Sequence, residues 1–305
     1  MKKKDFLTLK DWSTEDLKAL LDLAAEIKKN PAAFSSALNH RTLVMMFEKP
    51  SLRTRVSFDV GIQQLGGFSL CLTQNEINLG HRESISDVAH NLERMVQGIM
   101  VRTFSHFITE AIAKEASIPV INGLTDFCHP CQALADYMTI REVKGKTSGI
   151  KIGYIGDGNN VAHSLIYGAA HFGSHLCIAS PAGYEPDQAV LHWAQEHSLK
   201  TGATVEILRD PRKAAEKADV IYTDVWTSMG SESEAAERRT AFSNYQVNDS
   251  IVALCKPDYV FMHCLPAHRG EEVSGSVIDS PHSVVFQQAE NRLHAQKAVL
   301  VTLMR

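Results

Sequence analysis

Arg53 and Arg55 follow the dipeptide Pro50-Ser51 at the point where an apolar run gives way to a helical pattern. Leu43 to Phe47 reads as a buried strand and Pro50-Ser51 as a turn with Ser51 as helix N-cap. Val56, Val60, Phe58, Ile62 and Leu65 read as the buried stripe of the helix that follows. Both guanidinium groups then lie in the first helical turn, against the positive end of the helix dipole. Each such placement costs about 0.3–1 kcal/mol unless an anion sits among the free backbone N–H groups. The chemistry this predicts is capture of a small anion, most simply a phosphate. The alternative is that both arginines lie over the surface and pair with acids.

A second chemical candidate is Cys128-His129-Pro130-Cys131, which has the C-x-x-C spacing of a thiol redox pair or of half a zinc site. No second C-x-x-C accompanies it. The other reading is a strand, Ile118 to Ile121, a loop from Asn122 to Cys128, and Pro130 at the first position of a helix from Cys131 to Val143. His129 and Gln132 then flank another helix N-terminus, where an anion or a polarised carbonyl is favoured. A third candidate runs from Gly153 to Asn160. Its glycines suit a tight strand-to-helix turn, but the G-x-G-x-x-G order is missing, and the strand His175 to Ala179 ends in Ser180-Pro181 without an acid for a ribose. That argues against a dinucleotide and for a turn presenting Asn159 and Asn160 to a small polar ligand.

Groups scattered this widely need a scaffold, and the pattern supplies one. Short β-rich runs alternate with helical segments throughout, which predicts an α/β fold of two open, mainly parallel sheets, each flanked by helices. Candidate strands are 43–47, 68–72, 99–102, 118–121, 151–155, 175–179, 204–207, 219–223, 258–262 and 283–286. The polar segment Lys144 to Gly149 marks a boundary between domains at 1–143 and 150–288, with 289–305 as a C-terminal helix packing back on the first. Ligands in such sheets bind beyond the carboxyl ends of strands. The polar residues at Ser51–Thr54, Arg102, His129 and Gln132, Asn159 and Asn160, Asp224 to Gly230, and Cys264 all end or follow predicted strands, which predicts one active site in the cleft between domains.

Composition narrows the class. With 305 residues, 44% hydrophobic and 22% charged, the chain should bury about three quarters of its unfolded surface. A net charge of -4 gives no general attraction to nucleic acid or acidic membranes, so the anion site must be local. The residues after Met1 form no unbroken apolar run, which predicts neither signal peptide nor spanning helix. Cysteines at 71, 128, 131, 177, 255 and 264 show no disulfide framework. A cytoplasmic enzyme with reduced thiols is expected.

Five segments together resemble the aspartate and ornithine carbamoyltransferase family, and its ornithine branch in particular. They are Phe47 to Arg55, His129 to Asp136, Asp157 to Asn160, Asp224 to Gly230, and His263 to Pro266. The resemblance spans nearly the whole chain. It implies transfer of a carbamoyl group from carbamoyl phosphate to the side-chain amine of L-ornithine, giving L-citrulline and phosphate. Amine attack on the carbonyl builds negative charge on its oxygen, so the reaction needs an anion site and preorganised donors. By resemblance, Ser51, Leu52, Arg53 and Thr54 would hold the phosphate. Arg102 would bridge phosphate and carbonyl oxygen, and His129 and Thr54 would polarise the carbonyl. Gln132 and the backbone carbonyls of Cys264 and Leu265 would receive the carbamoyl NH₂, and Arg292 would reach the same cleft. Asp224 would hold the α-ammonium of ornithine and Asn160 its α-carboxylate region, with Ser228 and Met229 closing over the side chain. Cys264 would position or deprotonate the amine. Its pKa, about 10.4 in the free state, must be lowered for attack.

The chain departs from the family pattern at two positions. Leu52 stands where many relatives carry Thr, which matters little if only its N–H is used. Asn78 stands where relatives commonly carry Gln reaching a neighbouring subunit's carbamoyl phosphate, and its amide is shorter. The resemblance also implies a homotrimer, no metal and no organic cofactor, and a loop from Thr227 to Arg239 that folds over ornithine. Two rival readings remain at this level: the same chemistry on aspartate, putrescine or an N-acylated ornithine, and a non-catalytic phosphate-ligand binder on the same fold.

Overall fold

The structure is a computed structural model and describes residues 4–77, 83–228, 230 and 232–305. The chain divides into two compact units, Met1–Met138 with Asn291–Arg305, and Thr139–Glu290. In the first, β1 (Thr42–Phe47), β2 (Phe68–Thr73), β3 (Gly98–Arg102) and β4 (Val120–Leu124) form a sheet in the order β2-β1-β3-β4. In the second, β5 (Lys151–Ile155), β6 (His175–Ala179), β7 (Thr204–Leu208), β8 (Val220–Thr223) and β9 (Val260–His263) form a sheet in the order β7-β6-β5-β8-β9. Every strand pairing is parallel. The central strands β1, β3 and β5 are almost wholly buried, as expected for strands covered on both faces, and this is why they read as continuous apolar runs.

The helices are α1 (Thr14–Lys29), α2 (Leu52–Gln64), α3 (Gln74–Ile77), α4 (Ile85–Leu92), α5 (His106–Glu115), α6 (Pro130–Lys144) and α7 (Asn160–Phe172). They continue with α8 (Gln188–Ser198), α9 (Pro211–Ala215), α10 (Ala235–Ala241), α11 (Asp249–Val252), α12 (Gly275–Ile278) and α13 (Val285–Met304). No helix among the described residues is long and apolar enough to cross a membrane.

Strand order fixes where polar groups can gather. Both sheets reverse their winding direction once, between β1 and β3 and between β5 and β8, and the crevice beyond the carboxyl ends at such a switch point is the natural ligand position. At the first, Phe47 pairs with Arg102, and the Glu48 N–H donates to the Arg102 carbonyl at 2.8 Å. At the second, the Thr223 hydroxyl donates to the Ile155 carbonyl at 2.6 Å, tying the two strand ends together.

Three sequence expectations change here. Residues 283–286 are not a strand: Ser283 makes one isolated bridge to Phe261, and Val285 already begins α13, four residues ahead of the expected start at 289. A short apolar run does not distinguish strand from buried helix. The fourth strand lies at Val120–Leu124, not 118–121, so Asn122 is inside the sheet. Val56 and Val60 are exposed, not buried. The buried stripe of α2 is Thr54, Ser57, Phe58, Gly61 and Ile62, and a position two residues off such a stripe lies about 200° round the helix.

Gly158, in the turn after β5, has no room for a side chain. A Cβ there would lie 2.2 Å from the Pro186 nitrogen and 2.3 Å from the Glu185 carbonyl carbon, both backbone atoms. Replacing Gly158 with Ala is expected to lower stability by about 1–3 kcal/mol, read as a lower midpoint in denaturant unfolding. An unchanged midpoint would refute the close approach.

Candidate active site

The first cluster is built on the N-terminus of α2. Ser51 is its N-cap, with the side chain accepting from the Thr54 N–H at 3.2 Å, and Arg53 and Arg55 lie in the opening turns. Thr54 is fully buried. Its hydroxyl oxygen accepts from Arg102 Nη1 at 3.2 Å and from Arg292 Nη2 at 2.7 Å. α13 brings Arg292 there by crossing α2 at Gly61, where a Cβ would meet Leu293 Cδ1 at 3.4 Å and Lys297 Cγ at 3.5 Å. A hydroxyl has two acceptor lone pairs and one donor hydrogen. With both lone pairs taken by guanidinium groups, the Thr54 hydrogen can only be donated onward, to an acceptor.

His129 and Gln132 open α6 in the same unit and are buried. Burial, followed by the Arg292, Arg102 and Arg53 guanidinium groups in that order, holds the His129 imidazole well below its ordinary pKa. The ring is therefore neutral near pH 7 and acts as a dipole rather than a cation. Gln132 Nε2 donates to Asp136 Oδ1 at 2.8 Å, which turns Oε1 the other way. That oxygen is buried and accepts no hydrogen bond among the described residues. The Cys128 and Cys131 thiols between which His129 lies are structural. Each is almost wholly buried, Cys131 Sγ donates to the Asn122 carbonyl at 3.4 Å, and burial pushes the Cys131 thiol up to about 12 and Cys128 higher still. Burial thus disfavours either thiolate, which weighs against the redox reading.

The second cluster sits where β5, β8 and β9 end. Asp224 follows β8, is buried, and serves as no helix cap among the described helices. Its Oδ2 accepts from Asn159 Nδ2 at 2.9 Å, and its Oδ1 accepts from the Cys264 thiol at 3.0 Å and the Val225 N–H at 2.9 Å. A carboxylate held by neutral donors keeps its charge for a cationic ligand. Asn159 is the α7 N-cap, its Oδ1 accepting from the Val161 and Ala162 N–H groups. Of the two asparagines, Asn159 is thus committed to the fold as a cap, and Asn160 takes the first position of α7. Leu265 has a left-handed φ of 59°; its N–H donates to His263 Nδ1 at 2.8 Å.

Of the residues expected at the site, the first cluster gathers Ser51, Arg53, Thr54, Arg102, His129, Gln132 and Arg292. Leu52 opens α2 with its side chain exposed, so only its backbone could serve. The second gathers Asp224 with Cys264, and Ser228 lies four residues beyond Asp224 in a half-buried position. Asn78 and Met229 lie outside the described residues. The segment expected as a loop from Thr227 to Arg239 is partly helical, with a short 3-10 turn at Glu232–Glu234 running into α10. Residues that the motifs did not single out also shape the site. Tyr154 donates to the Asp157 carbonyl at 2.9 Å, and Asp157 pairs with Arg238 at 2.8 Å. Burial raises the Asp157 carboxyl to about 6, with Arg238 pulling the other way. Asp157 lay inside a quoted motif, but its partner 81 positions away carries no signal in sequence. Donor atoms of Asp224, His263 and Cys264 lie within 4.8 Å of one another, a set that a metal ion could use. As arranged, the thiol is turned to Asp224 and His263 Nδ1 to Leu265.

Comparison with known proteins accords with this geometry. Residues 4–142 match the family description "Aspartate/ornithine carbamoyltransferase, carbamoyl-P binding domain", and residues 148–303 match "Aspartate/ornithine carbamoyltransferase, Asp/Orn binding domain". An ornithine carbamoyltransferase of Thermococcus kodakarensis is 54% identical over 303 residues, 99% of this chain and 96% of that one. One of Bacillus subtilis is 54% identical over 301 residues, covering 99% and 94%. The solved ornithine carbamoyltransferase of Pyrococcus furiosus superposes with a TM-score of 0.96 at 53% identity, covering 99% of this chain and 97% of that one.

The suppressed basicity of His129 is testable directly. Its ¹⁵N imidazole shifts should remain those of a neutral ring at pH 5, where an ordinary histidine is almost fully protonated. A titration midpoint near 6.5 would show that the ring is not held among cations as described.

Proposed function

Since the chain belongs to the aspartate/ornithine carbamoyltransferase family, we propose that it transfers the carbamoyl group of carbamoyl phosphate to the δ-amine of L-ornithine, giving L-citrulline and phosphate. The observation that carries this reading is the Thr54 hydroxyl, which accepts from two guanidinium groups one turn into a capped helix. Three arginines close enough to depress His129 are favourable together when a phosphate dianion lies among them.

In the proposed mechanism, Ser51, the Leu52 N–H, Arg53 and Thr54 bind the phosphate, with Arg292 and Arg102 beside them. The ornithine amine must be neutral to attack. As its nitrogen bonds to the carbonyl carbon, charge builds on the carbonyl oxygen, where Arg102, Thr54 and neutral His129 donate hydrogen bonds that strengthen in the transition state. The tetrahedral intermediate collapses with cleavage of the carbon–oxygen bond to phosphate, and the proton lost by the amine leaves with the products. Gln132 Oε1, oriented by Asp136, accepts from the carbamoyl NH₂, as do the carbonyls of Cys264 and Leu265. Asp224 takes the α-ammonium of ornithine, Asn160 its α-carboxylate region, and Ser228 its flank. Cys264, bonded to Asp224, positions the amine. An aspartate substrate would set its extra carboxylate against Asp224, and putrescine would leave the groups meant for the α-carboxylate unpaired.

Self-association as a trimer belongs to the same proposal. Leu52, Val56 and Val60 form an exposed apolar stripe on α2, and Phe68 and Leu70 share one face of the edge strand β2, also exposed. Further copies of the chain are the occupants that the family resemblance supplies for such a patch. Six free cysteines accord with work in the cytoplasm, in arginine metabolism.

A citrulline assay with purified protein and a panel of ornithine, putrescine, aspartate and N-acetylornithine should give turnover with ornithine alone. The isosteric Thr54→Val should cut kcat by about a hundredfold or more. Turnover on another amine, or full activity in Thr54→Val, would overturn the assignment. In sedimentation the protein should run at three times the 33.7 kDa of one chain, and Val56→Asp should dissociate it. A monomeric wild type would remove the trimer from the proposal.

A further inference from the structure

Arg238 takes no part in the mechanism proposed above, yet its guanidinium binds the segments that carry the groups that do. Nη1 donates to Asp157 Oδ2 at 2.8 Å and to the Trp226 carbonyl at 3.1 Å. Nε donates to Glu234 Oε2 at 2.8 Å, and the guanidinium carbon stands 5.0 Å from the centroid of the Tyr184 ring. Its side chain is 13% exposed and that of Asp157 12%, so the pair is largely withdrawn from the solvent that makes surface ion pairs weak. The partners come from different parts of the unit. Asp157 follows β5, Tyr184 follows β6, Trp226 follows β8, and Glu234 precedes α10, on which Arg238 sits.

Two of these anchors are close in sequence to proposed ornithine contacts. Asp157 is two residues before Asn159, whose amide holds Asp224, and three before Asn160. Trp226 lies between Asp224 and Ser228, and its ring packs in the core beneath, 6.0 Å from Phe242. The turn at Asp157 is further held by the Tyr154 hydroxyl on the Asp157 carbonyl, 2.9 Å, and by the Gly158 N–H on the Tyr184 carbonyl, 2.8 Å. One planar, forked cation therefore links the chain entering Asn159–Asn160 to the chain between Asp224 and Ser228. A lysine ammonium, a single point donor on a flexible stem, cannot hold the same set of acceptors.

We propose that Arg238 is the positioning residue for the amine substrate: by bridging Asp157 and the Trp226 carbonyl, it holds the Asn160, Asp224 and Ser228 segments in register. This rests on the reading that those segments bind ornithine. Arg238 touches neither substrate and acts only through the chain it anchors. It should affect capture of the amine and leave the phosphate end of the reaction alone.

The test uses the full-length protein with Arg238→Ala and Arg238→Lys, each substrate varied at saturating levels of the other. In Arg238→Ala the KM for ornithine should rise about tenfold to a hundredfold, the loss expected for charge-assisted hydrogen bonds. Arg238→Lys should recover part of that loss, and the KM for carbamoyl phosphate should stay within about twofold of wild type. Hydrogen exchange followed by mass spectrometry should show residues 223–228 exchanging about tenfold faster in Arg238→Ala, with peptides of β1 and β3 unchanged. An unchanged ornithine KM, or equal rises in both KM values, overturns the proposal. Should Arg238→Ala fail to fold, Arg238→Lys carries the same comparison. If the wild type makes no citrulline from ornithine, the functional reading falls by itself. The exchange measurement still decides Arg238, because unaltered exchange over 223–228 removes its positioning role.

Discussion

Two guanidinium groups share one hydroxyl oxygen at Thr54, and much of the first unit follows from that constraint. Cations do not converge on a neutral oxygen, at the positive end of a helix, without a structure that forces them together. Here the force is the packing of three elements: α2 capped by Ser51, β3 ending in Arg102, and α13 crossing α2 over Gly61. Each buries apolar residues in the core of the unit. The result is a cluster of guanidinium groups around one hydroxyl, electrostatically satisfied by an anion such as the phosphate proposed for it. Burial, reinforced by the same crowding, keeps His129 neutral, so in the proposed reaction the imidazole contributes a fixed dipole.

The second unit has the opposite character. Its centre is a buried carboxylate, Asp224, whose oxygens are held by an amide, a thiol and a backbone N–H. Neutral donors orient the carboxylate without pairing it with a cation, which suits the α-ammonium proposed for it. A cationic cluster in one unit and a carboxylate cluster in the other are complementary to the two proposed substrates. The polar network around Asp157 and Arg238 belongs to this second cluster as its support, and it fastens loops that parallel strands alone would leave independent.

Reading the sequence worked best where one short segment contains its own explanation. Ser51 is an N-cap because its oxygen reaches the N–H three residues on, and Pro130 opens α6 because it lacks the N–H that a first turn leaves unused. The strands at 151–155 and 175–179 were legible because burial on both faces demands unbroken apolar runs. The same logic failed at Val285, where a short β-branched run belongs to a helix, and at Val56 and Val60, which are apolar yet exposed. Hydrophobicity says that a side chain avoids water; it does not say which surface covers it.

Taken alone, the sequence determined the local chemistry: a capped helix start carrying two arginines, a histidine and glutamine at a second helix start, an acid and a thiol at strand ends, and an alternating α/β order that forces parallel sheets. These depend on neighbours within a turn or a strand. What only the tertiary structure decided are the pairings across long chain separations. Thr54 meets Arg292 across 238 positions, Asp157 meets Arg238 across 81, and Asp224 meets Cys264 across 40. No periodicity encodes such pairs, because they arise when sheet order and helix packing bring distant backbone together. Burial then raises the Asp157 carboxyl where it meets Arg238.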